Sequence, residues 1–256
     1  GSLTAGMFYR FIKNEINQAV DSVLKENPYT KICSIGASYG GYSAVTLAIN
    51  NPKRYQCAVA SFGIYDLPLL FNQSNLNMQG DNRKSIENVV GEMRDELWDS
   101  SPLYSLEKLQ SPLLLIAGER DSVASVEHSN RMKYRLNQLG KKFESLFYKR
   151  AEHGHPRWFG DQHEAAYTDA FLRKSLKLAE LSGANSTKIK MQEERDLAEG
   201  YSAKDFLEPN DKLAFSHYKK AANAGDSLAQ MNVGAYYHRG DGVEKSFENA
   251  LQWYKK

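Results

Sequence analysis

The chain has 256 residues, more than the roughly 150 of an average single domain, and carries 33 basic and 31 acidic side chains for a net charge of +2. That balance gives no electrostatic reason for a nucleic acid or an acidic membrane as partner, and a 41% hydrophobic fraction is enough to build a buried core. Only Cys33 and Cys57 are present, which excludes a disulfide-dense secreted scaffold and a four-cysteine zinc site, and no apolar run approaches the roughly 18 residues that cross a bilayer.

In chain order, Phe8, Phe11, Ile12, Ile16, Val20 and Val23-Leu24 recur at helical intervals and predict an amphipathic helix over 8–25, closed by Asn27-Pro28. Lys31 to Ile35 is a short β-branched run ending at Gly36, followed by a small-residue helix from Tyr42 to Asn50 and a second apolar strand from Cys57 to Phe62. Strand, helix, strand is a βαβ unit, so the economical fold is a parallel sheet covered by helices. Residues 72–100 are polar with weak periodicity and read as an excursion over that sheet. Further strands are predicted at Pro112–Ala117 and Glu144–Tyr148, with helices at about Val126–Leu139 and Gln162–Leu178.

At 182–187 the composition turns small and polar, and no strand signal follows. The expected division is therefore an α/β part over 1–181, a linker over 182–187 and a helical part over 188–256. The helical part compares with itself at an offset of 36 residues: Tyr201 with Tyr237, Asp205 with Asp241, Glu208 with Glu244, Ala214 with Ala250, and Tyr218-Lys219-Lys220 with Tyr254-Lys255-Lys256. A helix-pair period of that size predicts a solenoid, in which each unit buries its apolar face against its neighbour.

The sharpest chemical signal is Gly36-Ala37-Ser38-Tyr39-Gly40, a G-x-S-x-G motif between a predicted strand and a predicted helix. A serine placed on a tight strand-to-helix turn needs small neighbours, and the turn lifts its hydroxyl clear of the sheet. The following amide, Tyr39 N–H, becomes an oxyanion donor at the helix N-terminus. A serine hydroxyl near neutral pH needs a base, and the base needs an orienting carboxylate. Asp121 lies just beyond the third strand, with Glu119 as its competitor. His153 and His155 lie just beyond the fourth, and spacing from the strand does not choose between them. His128, His163, His217 and His238 have no partner pattern and read as surface or helix residues. No His, Cys, Asp or Glu spacing suggests a metal site, and no cofactor is implied.

Residues 8 to 178 resemble the catalytic domain of the prolyl oligopeptidase family, which includes dipeptidyl and acylaminoacyl peptidases. The resemblance rests on Gly36 to Tyr42, Ala58 to Leu67, Ser101-Pro102, Ser111 to Asp121 and Tyr148 to Gly154. It implies an α/β-hydrolase fold with Ser38 as nucleophile, Asp121 as orienting acid and His153 as general base. His153 is chosen because the family's histidine is followed by glycine, as His153 is by Gly154, and His155 then becomes a wall of the site. The chain departs from the family at Ala117, usually histidine, and at Ala124-Ser125, usually Val-Pro. The resemblance further implies that the first strands of the sheet and the second oxyanion donor lie upstream of these residues.

The segments Asp226 to Tyr237, Arg239 to Val243 and Ala250 to Tyr254 are similar to the Sel-one-like repeat, a relative of the tetratricopeptide repeat, and 189–225 resembles a divergent copy. Such repeats imply a protein partner on a concave surface. The functional expectation is a serine hydrolase that cleaves peptide or acyl-peptide bonds through an acyl-enzyme. A carboxylesterase, or an interaction scaffold with a degenerate hydrolase part, stands as the alternative. No membrane span and no nucleic acid are expected, and the compartment is left open between cytoplasm and periplasm.

Overall fold

The computed structural model describes every residue except 1–11, 28–30, 74–83, 85, 88–89, 91–94, 156–157, 180–183 and 204–206. It divides into two compact units, residues 1–154 with 174–176, and residues 155–173 with 177–256. The sequence reading places the boundary at 182–187. In the structure the helix Ala184–Ser202 already begins inside that segment.

The first unit is built on four parallel strands in the order β1-β2-β3-β4, namely Ile32–Ala37, Tyr55–Ser61, Leu113–Gly118 and Phe143–Tyr148. Their registers pair Ala37 with Ser61, Ser61 with Ile116, and Gly118 with Tyr148. The strand ends that carry the candidate site residues are therefore level with one another. All of β3 is buried, which is why Leu113-Leu114-Leu115-Ile116 reads as a continuous apolar run without alternation. Helix α1 (Asn17–Glu26) follows one π-helical turn at Ile12–Ile16; Phe8 and Phe11 of the predicted helix lie outside the described residues. Helix α2 (Tyr39–Asn50) packs on β1 and β2, and α3 (Val126–Gln138) packs on β3. Most of the 72–100 excursion lies outside the described residues; its end forms the short helix Glu96–Ser100, against which the buried Tyr42 donates its hydroxyl to Ser100 O at 2.8 Å.

Strand β2 ends at Ser61 rather than at Phe62, since Phe62 has φ 50 and turns the chain out of the sheet. Cys33 and Cys57 face each other in the β1–β2 register and form a disulfide, with Cα atoms 4.7 Å apart. His128, read from the sequence as a surface or helix residue, lies in helix α3 and is 1% exposed; its Nδ1 accepts from the amides of Tyr65 and Asp66, both at 3.3 Å. Two backbone donors thus take the place of water around a ring that the helical pattern alone cannot orient.

The second unit is helical: α4 (Trp158–Leu176) up to Arg173, α5 (Ala184–Ser202), α6 (Asp211–Asn223), α7 (Ser227–Arg239) and α8 (Phe247–Tyr254). The 36-residue repeat is visible in its turns. Asn210 N donates to Tyr201 O at 3.1 Å, and 36 residues on Ser246 N donates to Tyr237 O at 2.9 Å. Asn210 and Ser246 also cap α6 and α8 with their side chains. Gly234 is small for a reason: a Cβ there would lie 2.5 Å from the ring of Tyr254. His163, likewise read as a surface or helix residue, lies in α4 and is 1% exposed, lying against Gly200, where a Cβ would overlap the imidazole, and edge-on to Tyr201 with centroids 5.6 Å apart.

Candidate active site

Ser38 joins β1 to α2 with φ 56 and ψ −123, a backbone conformation that side chains rarely adopt. Three contacts hold it there. Ser38 N donates to Ser61 O at 2.9 Å, Gly41 N donates back to Ser38 O at 2.9 Å, and a Cβ on Gly36 would overlap the carbonyl of Gly40. Gly36 is thus required by the closeness of strand and helix, whereas a Cβ on Gly40 would meet nothing within 4 Å. Tyr39 opens α2, so its amide points out of the helix N-terminus beside Ser38. Burial raises the Tyr39 phenol above its ordinary range, which keeps the side chain neutral.

Asp121 leaves β3 through a turn in which its amide donates to Gly118 O at 3.2 Å. Its side chain is 1% exposed, and Oδ1 accepts from the amides of Val123 at 2.9 Å and Ala124 at 2.8 Å. Those two bonds fix the carboxylate and leave Oδ2 facing His153 Nδ1 at 2.8 Å. Glu119, the competing acid, is exposed to solvent. The other imidazole nitrogen of His153, Nε2, lies 2.8 Å from Ser38 Oγ. Three residues from three different strand ends therefore form one hydrogen-bonded line.

The acid loop and the histidine loop are joined backbone to backbone. Glu119 N donates to Tyr148 O and Arg120 N to Ala151 O, both at 3.0 Å, and a Cβ on Gly118 would overlap the carbonyls of Ala151 and Glu152. His155 has a partner of its own: its Nε2 lies 2.7 Å from Glu164 Oε2, its side chain is 2% exposed, and a Cβ on Gly160 would lie 2.5 Å from its ring. Among the described residues, no group of three or more His, Cys, Asp and Glu could hold a metal ion, and no helix is long and apolar enough to cross a membrane.

The sequence model of the prolyl oligopeptidase family matches residues 14–179, and that of the Sel1 repeat matches 195–226 and 227–256. The chain belongs to the prolyl oligopeptidase family. Among its relatives is the uncharacterized peptidase YuxL of Bacillus subtilis, 28% identical over 178 residues that make up 59% of this chain and 25% of the relative. The uncharacterized peptidase YtmA of the same organism is 28% identical over 141 residues, 52% of this chain and 53% of that one. The chain thus spans a quarter to a half of the length of these curated relatives. Among solved structures, the acylaminoacyl peptidase of Pyrococcus horikoshii superposes with a TM-score of 0.59 at 21% identity, covering 71% of this chain and 30% of that one. At that identity the likeness is one of fold, and the fold is that of an α/β-hydrolase.

Within the family match, two features of the site had no readable signal in the sequence. One is Phe62, whose positive φ and contact with His153, at 6.5 Å between centroids, depend on how the ends of β1, β2 and β3 meet. The other is the clamp on the loop after β2, where Asp66 lies fully buried, paired with Arg131 at 2.6 Å and accepting from the hydroxyl of Tyr104 at 3.3 Å. A lone Asp after an apolar strand carries no mark of its distant partners.

Proposed function

We propose that this chain carries the catalytic site of a serine peptidase, with Ser38 as nucleophile, His153 as general base and Asp121 as the acid that orients it. The observation that supports the reading is the hydrogen-bonded line from Ser38 Oγ to His153 Nε2 and from His153 Nδ1 to Asp121 Oδ2, each step 2.8 Å. In the first half-reaction the Oγ–H proton passes to Nε2 as Oγ bonds to the carbonyl carbon of the substrate. The C=O electron pair then moves to its oxygen, facing the Tyr39 amide at the helix N-terminus. Collapse of this adduct reforms the carbonyl and breaks the C–N bond; His153 gives its proton to the departing amine and an acyl group remains on Ser38. Water, deprotonated by His153, removes the acyl group by the same route. Asp121 does not take the proton: held by two backbone amides, it keeps the imidazole in the tautomer with hydrogen on Nδ1 and stabilises the imidazolium.

Peptide and acyl-peptide bonds are the substrate class we assign. A fluorophosphonate probe is expected to label the wild-type chain and to leave Ser38→Ala unlabelled. His153→Ala should label about a thousandfold more slowly or worse, whereas His155→Ala should label at close to the wild-type rate. Wild-type protein that resists the probe under conditions that label another serine hydrolase would sink the reading. Cleavage of a short-chain ester with no cleavage of aminoacyl or peptidyl anilides would replace peptidase by esterase.

A further inference from the structure

Among the described residues, three other than glycine have positive φ: Ser38, Phe62 and Lys177. Two of the three terminate adjacent strands, in register across the β1–β2 pair, and each carries a side chain against the same imidazole. For Ser38 the strained turn has an evident use, since it presents the hydroxyl. Phe62 needs an explanation of its own, because a bulky residue at φ 50 costs the fold something that glycine there would not. Such strain persists only where the surroundings over-determine it.

They do so here. Phe62 N donates to Ile116 O at 2.7 Å, and Ser61 O, one residue earlier, accepts from Ser38 N. Gly63 is wedged between Gly41, whose own Cβ would lie 3.0 Å from Gly63 Cα, and the ring of Tyr65, which a Cβ on Gly63 would overlap. The Tyr65 hydroxyl donates to Ala60 O at 3.2 Å, while the amides of Tyr65 and Asp66 are both held by His128. The turn is thereby tied to β2, β3, α2 and α3. The outcome is a phenyl ring, 7% exposed, set at 68° to the His153 imidazole.

The hydrogen bonds to Asp121 and Ser38 fix His153 at two atoms, Nδ1 and Nε2. The covalent bond to Cβ anchors the ring at a third point, but a hydrogen bond tolerates bending of about 30°, so neither bond prevents small tilts of the ring. A rigid aromatic face or edge beside the ring does. We propose that Phe62 is a positioning residue for His153: its ring limits the tilt of the imidazole and keeps Nε2 aimed at Ser38 Oγ. This rests on the serine peptidase reading for its consequence in catalysis, but the geometric claim can be tested without it.

The experiment replaces Phe62 with Leu and with Met, which keep the buried apolar volume and lose the ring, and with Tyr, which keeps it. Two quantities are read on the whole chain. One is the rate of fluorophosphonate inactivation, resolved into its binding constant and its maximal rate. The other is the low-field proton resonance of His153 Nδ1–H hydrogen-bonded to Asp121. In the Leu and Met variants the maximal rate is expected to fall about tenfold, as for the loss of one aromatic pair, with the binding constant within about twofold. The low-field proton should broaden or disappear. Tyr should restore both. An unchanged rate and proton signal in Leu and Met would overturn the proposal, as would a change confined to the binding constant, or an equal loss in all three variants. Failure of the wild type to react would count against the peptidase reading alone, since the proton signal still reports whether the ring holds His153.

Discussion

At the scale of single residues, the candidate site is held by backbone contacts that leave no room for a methyl group. Gly118 is the clearest instance. It ends β3, its carbonyl accepts from Asp121 N, and the space where a side chain would stand is filled by the carbonyls of Ala151 and Glu152. Gly118→Ala must push the acid loop and the histidine loop apart, and the His153–Asp121 bond spans that junction. Displacement of about 1 Å in a reacting group costs on the order of a hundredfold in rate. Gly118→Ala should therefore lose activity by about that factor while keeping its circular dichroism spectrum, and a variant at wild-type activity would show that the junction can yield. Ser38 was legible in the sequence because strand, small-residue motif and helix constrain one another. Asp121 was legible only as one of two acids, because the burial that separates it from Glu119 arises from amides two and three residues further on. Phe62 was not legible at all: the sign of its φ is set by three strand ends that the sequence keeps far apart.

At the scale of elements, parallel pairing places residues distant in sequence side by side, and Cys33 opposite Cys57 is one product of it. The two cysteines are 24 residues apart, and closing a loop of that length removes entropy from the unfolded chain worth roughly 3 kcal/mol. The bond staples the strand that ends beside Ser38 to the strand that ends beside Phe62. Cys33→Ala with Cys57→Ala should lower the unfolding free energy by about that amount, read from urea titrations of oxidised wild type and the double variant. Equal midpoints with equal slopes would mean that the bond contributes nothing. Composition could exclude a disulfide-dense scaffold but could not find this single bridge, since β-strand register is not readable from one sequence. The helical repeat was more transparent. Its 36-residue offset recurs as the same turn hydrogen bond and the same kind of side-chain cap at Asn210 and Ser246. What the offset could not reveal is that residues 155–173 group with the repeats, where His163 lies against Gly200.

At the scale of the whole molecule, each unit encloses one neutral histidine, and the pair gives the chain a common response to acid. Burial, reinforced by the charge of Arg131, lowers His128 to about 3, and burial with the nearby His155 and His217 lowers His163 to about 3. An unfolded histidine binds its proton near 6.5, so below that pH the unfolded chain holds more protons than the folded one and stability falls. Above 6.5 both states are neutral at these rings and they add no pH dependence. Glu193, Asp196 and Glu199, raised chiefly by burial, work in the opposite sense as they protonate in the folded state; the histidine effect is read between pH 7 and 5.5, across the ordinary histidine range. Over that interval each buried histidine should remove about 1.2 kcal/mol from the unit that contains it. For His128 the penalty has a structural counterpart, since protonation at Nδ1 would abolish the acceptor that holds the Tyr65 and Asp66 amides and with them the turn carrying Phe62. Urea titrations at the two pH values should therefore show a lower midpoint at pH 5.5, and His128→Gln, which retains an acceptor and does not titrate, should show a smaller difference than the wild type. The same pH dependence in both proteins would mean that His128 is already free to take up a proton in the folded state.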